Sequence, residues 1–189
     1  YGLWREARSR PFDPSGLDAP RRAPDAAPHI RFIVARQGAP LTLATPLVAS
    51  LLASRGGDWS ISVARAGDVD DEARLALAAR LVIASALEDH IAGLAQADLV
   101  ARLDPSIALA DCALPVVTEA ACRENDAFCF YGDEEWRGLD GAVKPVLKPD
   151  WSPEFEAGLS YLGAPVFWRV GKIRGCLLYT SDAADDTPC

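Results

Sequence analysis

Short apolar runs alternate along the chain with longer amphipathic segments between residues 29 and 131. Each run is rich in Val, Ile, Leu or aromatic residues and is bounded by Gly, Asp, Pro or Ser, which is the pattern of buried strands. These runs predict strands over His29 to Ala35, Trp59 to Ala64, Leu81 to Ala84, Leu99 to Leu103 and Ala127 to Tyr131.

The segments between these runs predict helices. Thr45 precedes Pro46, which suits a helix start because the first helical position needs no N–H donor. Apolar residues then recur at helical spacing, at Leu47, Val48, Leu51 and Leu52. Further helices are predicted over about residues 70–79, 88–96 and 110–123. In the 88–96 helix, Ile91 and Leu94 are expected to face inward and His90 to lie on the surface.

Strand–helix–strand units of this length predict an α/β fold, with a mainly parallel sheet covered by helices on both faces. The ordered domain is expected to run from residue 29 to residue 175. Residues 1–28 are rich in Pro, Arg, Asp and Ala, which predicts an irregular linker after the end of an upstream helix. Beyond Tyr131 prolines interrupt the pattern, and no further element is assigned there.

Both ends of the chain indicate an incomplete sequence. The chain contains no Met and begins at Tyr1, so the natural start is expected upstream. Residues 176–189 resemble a translated sequencing adapter. We therefore expect them to be a non-native tail that leaves the domain C-terminally incomplete. The alternative is a native acidic tail.

The chain is acidic, with 27 Asp and Glu against 19 Lys and Arg, a formal net charge of −8 and a pI near 4.7. A nucleic-acid-binding protein needs a basic face, so this composition argues against one. No apolar run reaches the roughly 18 residues of a membrane-spanning helix, and no basic-then-apolar leader is visible. Cys112, Cys122 and Cys129 fit no zinc spacing. They are expected to be small buried residues of a protein in the reducing cytosol.

Acidic residues follow two of the predicted strands. Asp104 comes directly after the fourth strand, and Asp133, Glu134 and Glu135 come just after the fifth. In parallel α/β sheets, ligands bind beyond the carboxyl ends of the strands. Carboxylates there suit a divalent cation that bridges to a diphosphate, because hard cations prefer oxygen ligands. The alternative is a pair of solvated acidic loops.

One segment near the C-terminus is distinctive: Lys148-Pro149-Asp150-Trp151-Ser152-Pro153, preceded by Tyr131-Gly132-Asp133-Glu134-Glu135-Trp136 and followed by Tyr161-Leu162-Gly163. This arrangement resembles the family-2 glycosyltransferases of bacterial surface-polysaccharide assembly, including rhamnosyltransferase-like members. They carry a strand ending in an acidic loop, a Lys-Pro-Asp-Trp-Ser-Pro segment and a Tyr-Ile-Gly stretch. The resemblance extends over about 1–175, and its specific part lies in 130–163.

The resemblance implies the GT-A fold, a Rossmann-like nucleotide-binding domain. It implies sugar transfer from a nucleotide-diphospho-sugar donor to a saccharide or lipid-linked acceptor with Mg²⁺ or Mn²⁺. The implied location is the cytoplasm or, by peripheral association, the inner membrane face. A carboxylate-held cation stabilises the leaving diphosphate, and a second carboxylate takes the proton of the acceptor hydroxyl. That catalytic base is expected beyond Gly175, so this chain by itself is expected to be inactive.

Three positions depart from the family pattern. The Asp-x-Asp metal loop of the family is Asp104-Pro105-Ser106 here, which implies a ribose or metal contact for Asp104 and a weak metal ligand in Ser106. The acidic pair after the second strand is Arg65-Ala66, with Asp68 as the nearby candidate for nucleotide contact. The turn after the first strand is Ala35-Arg36-Gln37. A second hypothesis therefore stays open, a non-catalytic GT-A-like scaffold module with a degenerate donor site.

Three residues of the hexapeptide each have two interpretations. Lys148 meets a diphosphate or is a solvated lysine. Asp150 contacts a ligand or holds the turn by accepting from backbone N–H groups. Trp151 stacks on a sugar ring or anchors the core. For all three residues, residue type alone favours the second interpretation over the ligand contact.

Overall fold

The computed structural model describes residues 27–35, 38–54, 56–159 and 161–174. Nearly all of the linker expected over 1–28, and the whole tail expected over 176–189, lie outside the described residues. A six-stranded sheet and a separate two-stranded sheet organise the described part of the chain. No described helix combines the length and the apolar character needed to cross a membrane.

The described elements comprise eight strands and five α-helices. The strands are β1 (His29–Val34), β2 (Asp58–Val63), β3 (Leu81–Ile83), β4 (Leu99–Leu103), β5 (Cys129–Tyr131), β6 (Glu134–Arg137), β7 (Val143–Val146) and β8 (Val166–Arg169). The helices are α1 (Pro46–Ala53), α2 (Asp71–Leu77), α3 (Leu87–Ile91), α4 (Ala113–Arg123) and α5 (Pro153–Leu159). A 3₁₀ turn lies at Ala66–Asp68, and a last helical turn covers 170–174.

The large sheet has the strand order β3-β2-β1-β4-β8-β5. The first four strands in the chain run parallel, and β8 lies antiparallel between β4 and β5. The chain moves outward from β1 to β3 and then restarts on the other side of β1 with β4, which makes a topological switch point between β1 and β4. The predicted mainly parallel α/β sheet is confirmed, and its architecture is compatible with a Rossmann-like fold.

Alternating side chains of the strands pack against helices on both faces of the sheet, as predicted. On one face, Ile30, Phe32 and their neighbours pack with residues of α1, α2 and α4. On the other face, Ile33 and Val100 pack with Ile91 of α3, with Leu94 just after this helix and with Val170 of the last helical turn. The inward positions predicted for Ile91 and Leu94 are therefore confirmed.

Helix α1 begins at Pro46 as predicted, but Thr45 does not cap it. The Thr45 Oγ1 accepts the Thr42 N–H at 2.8 Å and so stabilises the turn that precedes the helix. The expected apolar face is buried except for Leu52, which is 43% exposed. The prediction for Leu52 is wrong because it lies at the margin of the apolar stripe, one residue from the helix end.

Three strands and one helix after Tyr131 were not predicted. The strands β6, β7 and β8 have only four residues each, and Pro145 interrupts the apolar pattern of β7. A proline is tolerated there because β7 pairs only with β6 among the described residues. Helix α5 buries none of its side chains, so it has no inward apolar stripe that the sequence could reveal.

A row of polar side chains lies on the α3 face of the sheet, along β1 and β2. His29 Nδ1 lies 2.9 Å from Asp58 Oδ2, and His29 Nε2 lies 2.7 Å from Ser60 Oγ. Arg31 Nε donates to the same Ser60 Oγ at 3.0 Å. Arg31 Nη1 also donates to two carbonyls at the end of α3, which satisfies helix-terminal acceptors and holds α3 against the sheet.

His90 belongs to this row, so its predicted surface position is wrong. It is 8% exposed, and its Nδ1 lies 2.7 Å from Ser62 Oγ. Because α3 ends at Ile91, the expected periodicity of a longer helix did not apply to His90. Burial lowers the pKa of His90 below its ordinary value of 6.5, while Asp89 opposes this shift and Arg31 adds to it.

Arg169, at the end of β8, joins four segments of the fold. Its guanidinium donates to Ala97 O before β4, to Ala121 O and Glu124 O at the end of α4, and to Ala127 O before β5, at 2.9–3.1 Å. The side chain is nearly buried and lies 5.4 Å from the centre of the Phe130 ring. One cation therefore satisfies four carbonyls around the strand that separates β4 from β5.

Arg169→Met is expected to lower the free energy of unfolding by about 3 kcal/mol, because it leaves buried carbonyls without a donor. Urea unfolding followed by circular dichroism measures the change. Arg102→Met removes an exposed arginine from the neighbouring strand β4 and serves as the matched control. Equal stability losses in the two variants would contradict this role of Arg169.

The protein is expected to lose stability as the pH falls below about 6.5. His90 has a lowered pKa in the folded state, so the unfolded chain takes up its proton first. Urea unfolding between pH 7.5 and pH 5 measures the slope, and His90→Gln should reduce it. Ser62→Ala removes the hydrogen-bond partner but keeps the imidazole, so it should lower stability while retaining the slope. An unchanged slope in His90→Gln would contradict the prediction.

Candidate functional site

A cleft opens at the carboxyl ends of β1, β2 and β4, where the topology places its switch point. Its lining is mostly apolar and consists of Val34, Ala39, Leu41, Val63, Ala64, Asp68 and Pro105. The loops after β1 and β2 are joined here, because Leu41 N donates to Asp68 O at 2.8 Å and Asp70 N donates to Leu41 O at 2.9 Å. Two backbone hydrogen bonds therefore hold together the loops that form one side of the cleft.

Asp68, a sequence-predicted nucleotide contact, lines this cleft and is 7% exposed. Its Oδ2 accepts the Arg65 N–H at 3.0 Å, and its Oδ1 lies 3.6 Å from Arg65 Nε. The carboxylate thus closes the 3₁₀ turn after β2. Its position agrees with a ligand contact, while its hydrogen bonds give it a structural role in the same loop.

Asp104 leaves the carboxyl end of β4 and lies beside the cleft-lining Pro105. Its Oδ1 accepts two hydrogen bonds from Ser106, from the hydroxyl at 2.6 Å and from the backbone N–H at 2.8 Å. These bonds, the hydroxyl bond first, hold the pKa of Asp104 below its ordinary range. Asp104 is therefore ionised at neutral pH, and the Ser106 side chain contacts that carboxylate directly.

The N-terminus of α1 points toward the same edge but offers little to an anion. Pro46 has no N–H, and the Leu47 N–H donates to Pro105 O at 3.2 Å. In dinucleotide-binding α/β folds the corresponding helix start holds a pyrophosphate. Here the first of those donors is absent and the second is already used, so this helix start offers a diphosphate fewer donors than usual.

Asp133 lies at the same edge of the sheet as Asp104. Val100 of β4 and Cys129 of β5 both stand opposite Trp168 of β8, which aligns β4 with β5 across the antiparallel strand. Two strand spacings, about 10 Å, separate the carboxyl ends from which Asp104 and Asp133 emerge. Asp104 and Asp133 therefore follow parallel strands at one edge, as expected, whereas Glu134 and Glu135 lie within β6.

The three acidic residues after β5 do not form one loop. Asp133 Oδ1 accepts the Lys148 N–H at 2.9 Å. Glu134 and Glu135 lie within β6, where alternation sends their side chains to opposite faces of the hairpin. Glu134 is half-buried and Glu135 is exposed. The cluster is thereby divided among three environments.

Lys148 is buried, so its predicted solvated position is wrong. Its side chain is 2% exposed, its Nζ donates to Leu162 O, and Nζ lies 3.6 Å from Glu134 Oε1. The lysine joins the β6–β7 hairpin to the turn over 161–163. Residue type alone suggested solvent, because an isolated lysine is rarely buried without a partner.

Gly163 completes this joint. It has φ +57°, and an added Cβ would lie 2.7 Å from Glu134 Oε1 and 3.3 Å from Lys148 Nζ. A side chain at this position would therefore be strained and would push apart the ion pair. The Tyr-Leu-Gly stretch is explained by the packing of the turn against Lys148 and Glu134.

Tyr161 holds the backbone on both sides of Trp151. Its hydroxyl donates to Asp150 O at 3.2 Å and accepts the Ser152 N–H at 3.0 Å. The role predicted for the Asp150 carboxylate, accepting backbone N–H groups, is not observed among the described residues, since its carbonyl makes the contact. Trp151 itself is 57% exposed, so its predicted position as a core anchor is wrong.

Two tyrosines were missed as parts of this site. The Tyr131 hydroxyl donates to Pro149 O at 2.9 Å, and the Tyr131 and Tyr161 rings meet edge to face with centroids 6.2 Å apart. Burial, with a further contribution from Tyr161, raises the pKa of Tyr131 to about 12. The hydroxyl therefore stays protonated as a donor. The signal available in the sequence was the position of both tyrosines at the borders of the motif.

No group of three or more His, Cys, Asp or Glu side chains within the described residues could enclose a metal ion. Cys112, Cys122 and Cys129 are free and half-buried. Asp104, with Ser106 beside it, is the carboxylate next to the cleft that could contact a cation from outside. Such a cation would need further oxygen ligands from its own substrate.

Comparisons with known proteins add no relative to these observations. A scan against models of protein families found no match, and a search of curated proteins found none.

Lys148→Met is expected to lower the free energy of unfolding by about 3 kcal/mol, because it leaves Glu134 half-buried without its cation. Chemical unfolding measures the loss. The double variant Lys148→Met with Glu134→Gln should be more stable than Lys148→Met alone, since it also removes the orphaned charge. If the stability loss of the double variant equals the sum of the losses in Lys148→Met and Glu134→Gln, this coupling is contradicted.

Proposed function

We propose that this chain is the donor-binding domain of a glycosyltransferase with a GT-A fold. Its donor is a nucleotide-diphospho-sugar, and its acceptor is a saccharide or lipid-linked sugar of bacterial surface-polysaccharide synthesis. It acts in the cytoplasm or peripherally at the inner membrane face. The observation that carries the proposal is the edge of the sheet, where an apolar cleft at the switch point adjoins the ionised Asp104 and Asp133 follows on the same side.

The parts of the edge suit different parts of such a donor. The cleft encloses only about 10 Å³, so a nucleobase would lie against its apolar lining at the surface and would not enter it. The Asp104 carboxylate is held by Ser106 through Oδ1, so it is oriented to accept a ribose hydroxyl or to contact a cation. The resemblance of the Lys148-to-Pro153 hexapeptide to family-2 glycosyltransferases supports the same assignment.

A divalent cation fits this edge only together with the nucleotide. Mg²⁺ is commonly held by one or two carboxylates together with substrate phosphates. Asp104 supplies one carboxylate, and Ser106 adds at most a neutral oxygen. When bound, the cation would stabilise the negative charge that develops on the leaving diphosphate.

The chain's own residues act on binding and orientation. Asp104 holds the donor at the carboxyl end of β4, and the loops joined through Leu41 and Asp68 close one side of the cleft. The acceptor hydroxyl must also lose a proton to a general base. The resemblance puts that base beyond Gly175, outside the described residues, so nucleotide binding rather than turnover is the sharper test of this chain.

A second candidate function is a non-catalytic scaffold with the same fold. The observation that favours it is the way Asp68 and Ser106 direct polar atoms into their own loops, toward Arg65 and Asp104. A scaffold needs no nucleotide. Nucleotide binding therefore separates the two functions.

We expect the chain to bind UDP or GDP in the presence of MnCl₂, measured by isothermal titration calorimetry, and to bind Mn²⁺ alone undetectably. Asp104→Asn should abolish the metal-dependent binding, because it removes the ionised oxygen. Glu88→Gln changes the same charge on the exposed surface of α3 and serves as the control. No binding of either nucleotide would reject the donor-binding proposal and favour the scaffold.

Ser106→Asp is expected to strengthen the Mn²⁺-dependent binding of the nucleotide about tenfold, because affinity for hard cations rises with the number of charged ligands. Ser106→Ala, which removes the hydroxyl without adding charge, is the comparison variant. Calorimetry with and without EDTA measures both. Tight Mn²⁺ binding by the unmodified chain without nucleotide would contradict the assignment of residues 104–106.

A further inference from the structure

Trp151 combines a fixed backbone with an exposed ring. The Tyr161 hydroxyl contacts Asp150 O and Ser152 N, which are the backbone atoms on either side of Trp151. The indole nevertheless remains 57% exposed. The fold therefore orders the segment that carries this ring without covering the ring itself.

Two further aromatic side chains lie close to the backbone of Trp151, since the Tyr161 hydroxyl contacts that backbone and the Phe155 ring packs against Tyr161. Phe155 is 42% exposed, and its ring centre lies 5.0 Å from that of Tyr161 at an interplanar angle of 34°. Tyr161 in turn meets Tyr131 edge to face. We call Trp151, Phe155 and Tyr161 the aromatic platform. Exposed aromatic surface of this kind marks a ligand contact more often than a scattered single residue does.

The charges beside the platform select the class of ligand. Asp150, directly before Trp151, and Glu154, three residues after it, are exposed carboxylates. Lys148 of the same segment is buried, bonded to Leu162 O and paired with Glu134. An anionic ligand would meet uncompensated negative charge there. A neutral polyol suits the surface, since its C–H face covers an aromatic ring and its hydroxyls donate to carboxylates.

We propose that the aromatic platform is the subsite for a pyranose ring of the acceptor saccharide. The identity of the saccharide as acceptor rests on the proposed glycosyltransferase function, whereas saccharide binding itself does not. The Lys148 N–H bond to Asp133 ties the segment that carries the platform to the acidic edge beyond β5. Asp133 and Asp104 leave the same edge of the sheet, so the platform lies on the side of the molecule that holds the cleft.

Saturation-transfer difference NMR of the whole chain tests this proposal with three probes: methyl α-L-rhamnopyranoside, methyl β-D-galactopyranoside and methyl β-D-glucopyranoside. We expect transfer to at least one of them. Trp151→Ala should raise its dissociation constant about tenfold. Trp136→Ala removes an indole that is 65% exposed on the hairpin and serves as the matched control with unchanged binding.

Tyr161→Phe tests the role of the backbone clamp. It keeps the ring of the platform and removes the hydroxyl that holds both sides of Trp151, so saccharide binding should weaken while the fold persists. Circular dichroism confirms the fold of each variant. Steady-state anisotropy is measured in a Trp4→Phe, Trp59→Phe, Trp136→Phe and Trp168→Phe background, and in Tyr161→Phe it should report a more mobile Trp151.

The outcomes separate this proposal from the donor-binding proposal. Saccharide binding that depends on Trp151 supports the subsite even in a chain that binds no UDP or GDP. Nucleotide binding without Trp151-dependent saccharide binding overturns the subsite and leaves the donor site intact. Trp151-dependent binding of a pentalysine peptide in place of the glycosides, or Trp151-dependent dimerisation in sedimentation velocity, also overturns it.

Discussion

The position of β8 between β4 and β5 depends on one buried guanidinium. Arg169 comes from the end of β8 and reaches the chain just before β4, the end of α4 and the chain just before β5. Four carbonyls from these three segments converge at this point, and the arginine is 5% exposed. Without a cation there, these carbonyls would carry a desolvation cost of the kind that buried unsatisfied groups impose. The antiparallel strand β8 is thus held in place by the hydrogen bonds of the Arg169 guanidinium as well as by the backbone hydrogen bonds of the sheet.

The insertion of β8 has consequences at the opposite end of the sheet. It keeps β5 parallel to β4 and two strand spacings away, so Asp104 and Asp133 emerge at one edge. It also forces the chain between β5 and β8 to remain at that edge, where it forms the hairpin, α5 and the turn over 161–163. Lys148, Glu134 and Gly163 join these pieces, and the two tyrosines hold the hexapeptide against them.

The resulting edge is acidic, and this constrains what it can bind. Asp104 is ionised, and its oxygen is already oriented by Ser106. At the start of α1, Pro46 has no N–H and the Leu47 N–H is already used by Pro105 O. A diphosphate can approach such an edge only with a cation that offsets both sets of charges. Neutral ligands meet no such obstacle. The same electrostatic condition therefore underlies both proposals, a cation that accompanies the nucleotide at the cleft and a neutral sugar at the aromatic platform.

The sequence by itself determined the alternating strands and helices up to Tyr131, because buried parallel strands have apolar runs that helices with periodic faces separate. It also located Asp104 and Asp133 at strand ends.

Tertiary structure decided the rest. Lys148 is buried because Glu134 of β6 pairs with its ammonium group, and residue type alone does not predict such a pairing. His90 and Arg169 are buried for the same reason, since their partners Ser62 and the four carbonyls come from distant segments. Trp151 is exposed although tryptophan favours burial, because Tyr161 fixes its backbone on the surface of the motif. Apolar periodicity is a local pattern and can therefore be recognised in the sequence. The hydrogen-bond partners of buried polar groups come from remote segments and are known only from the tertiary structure.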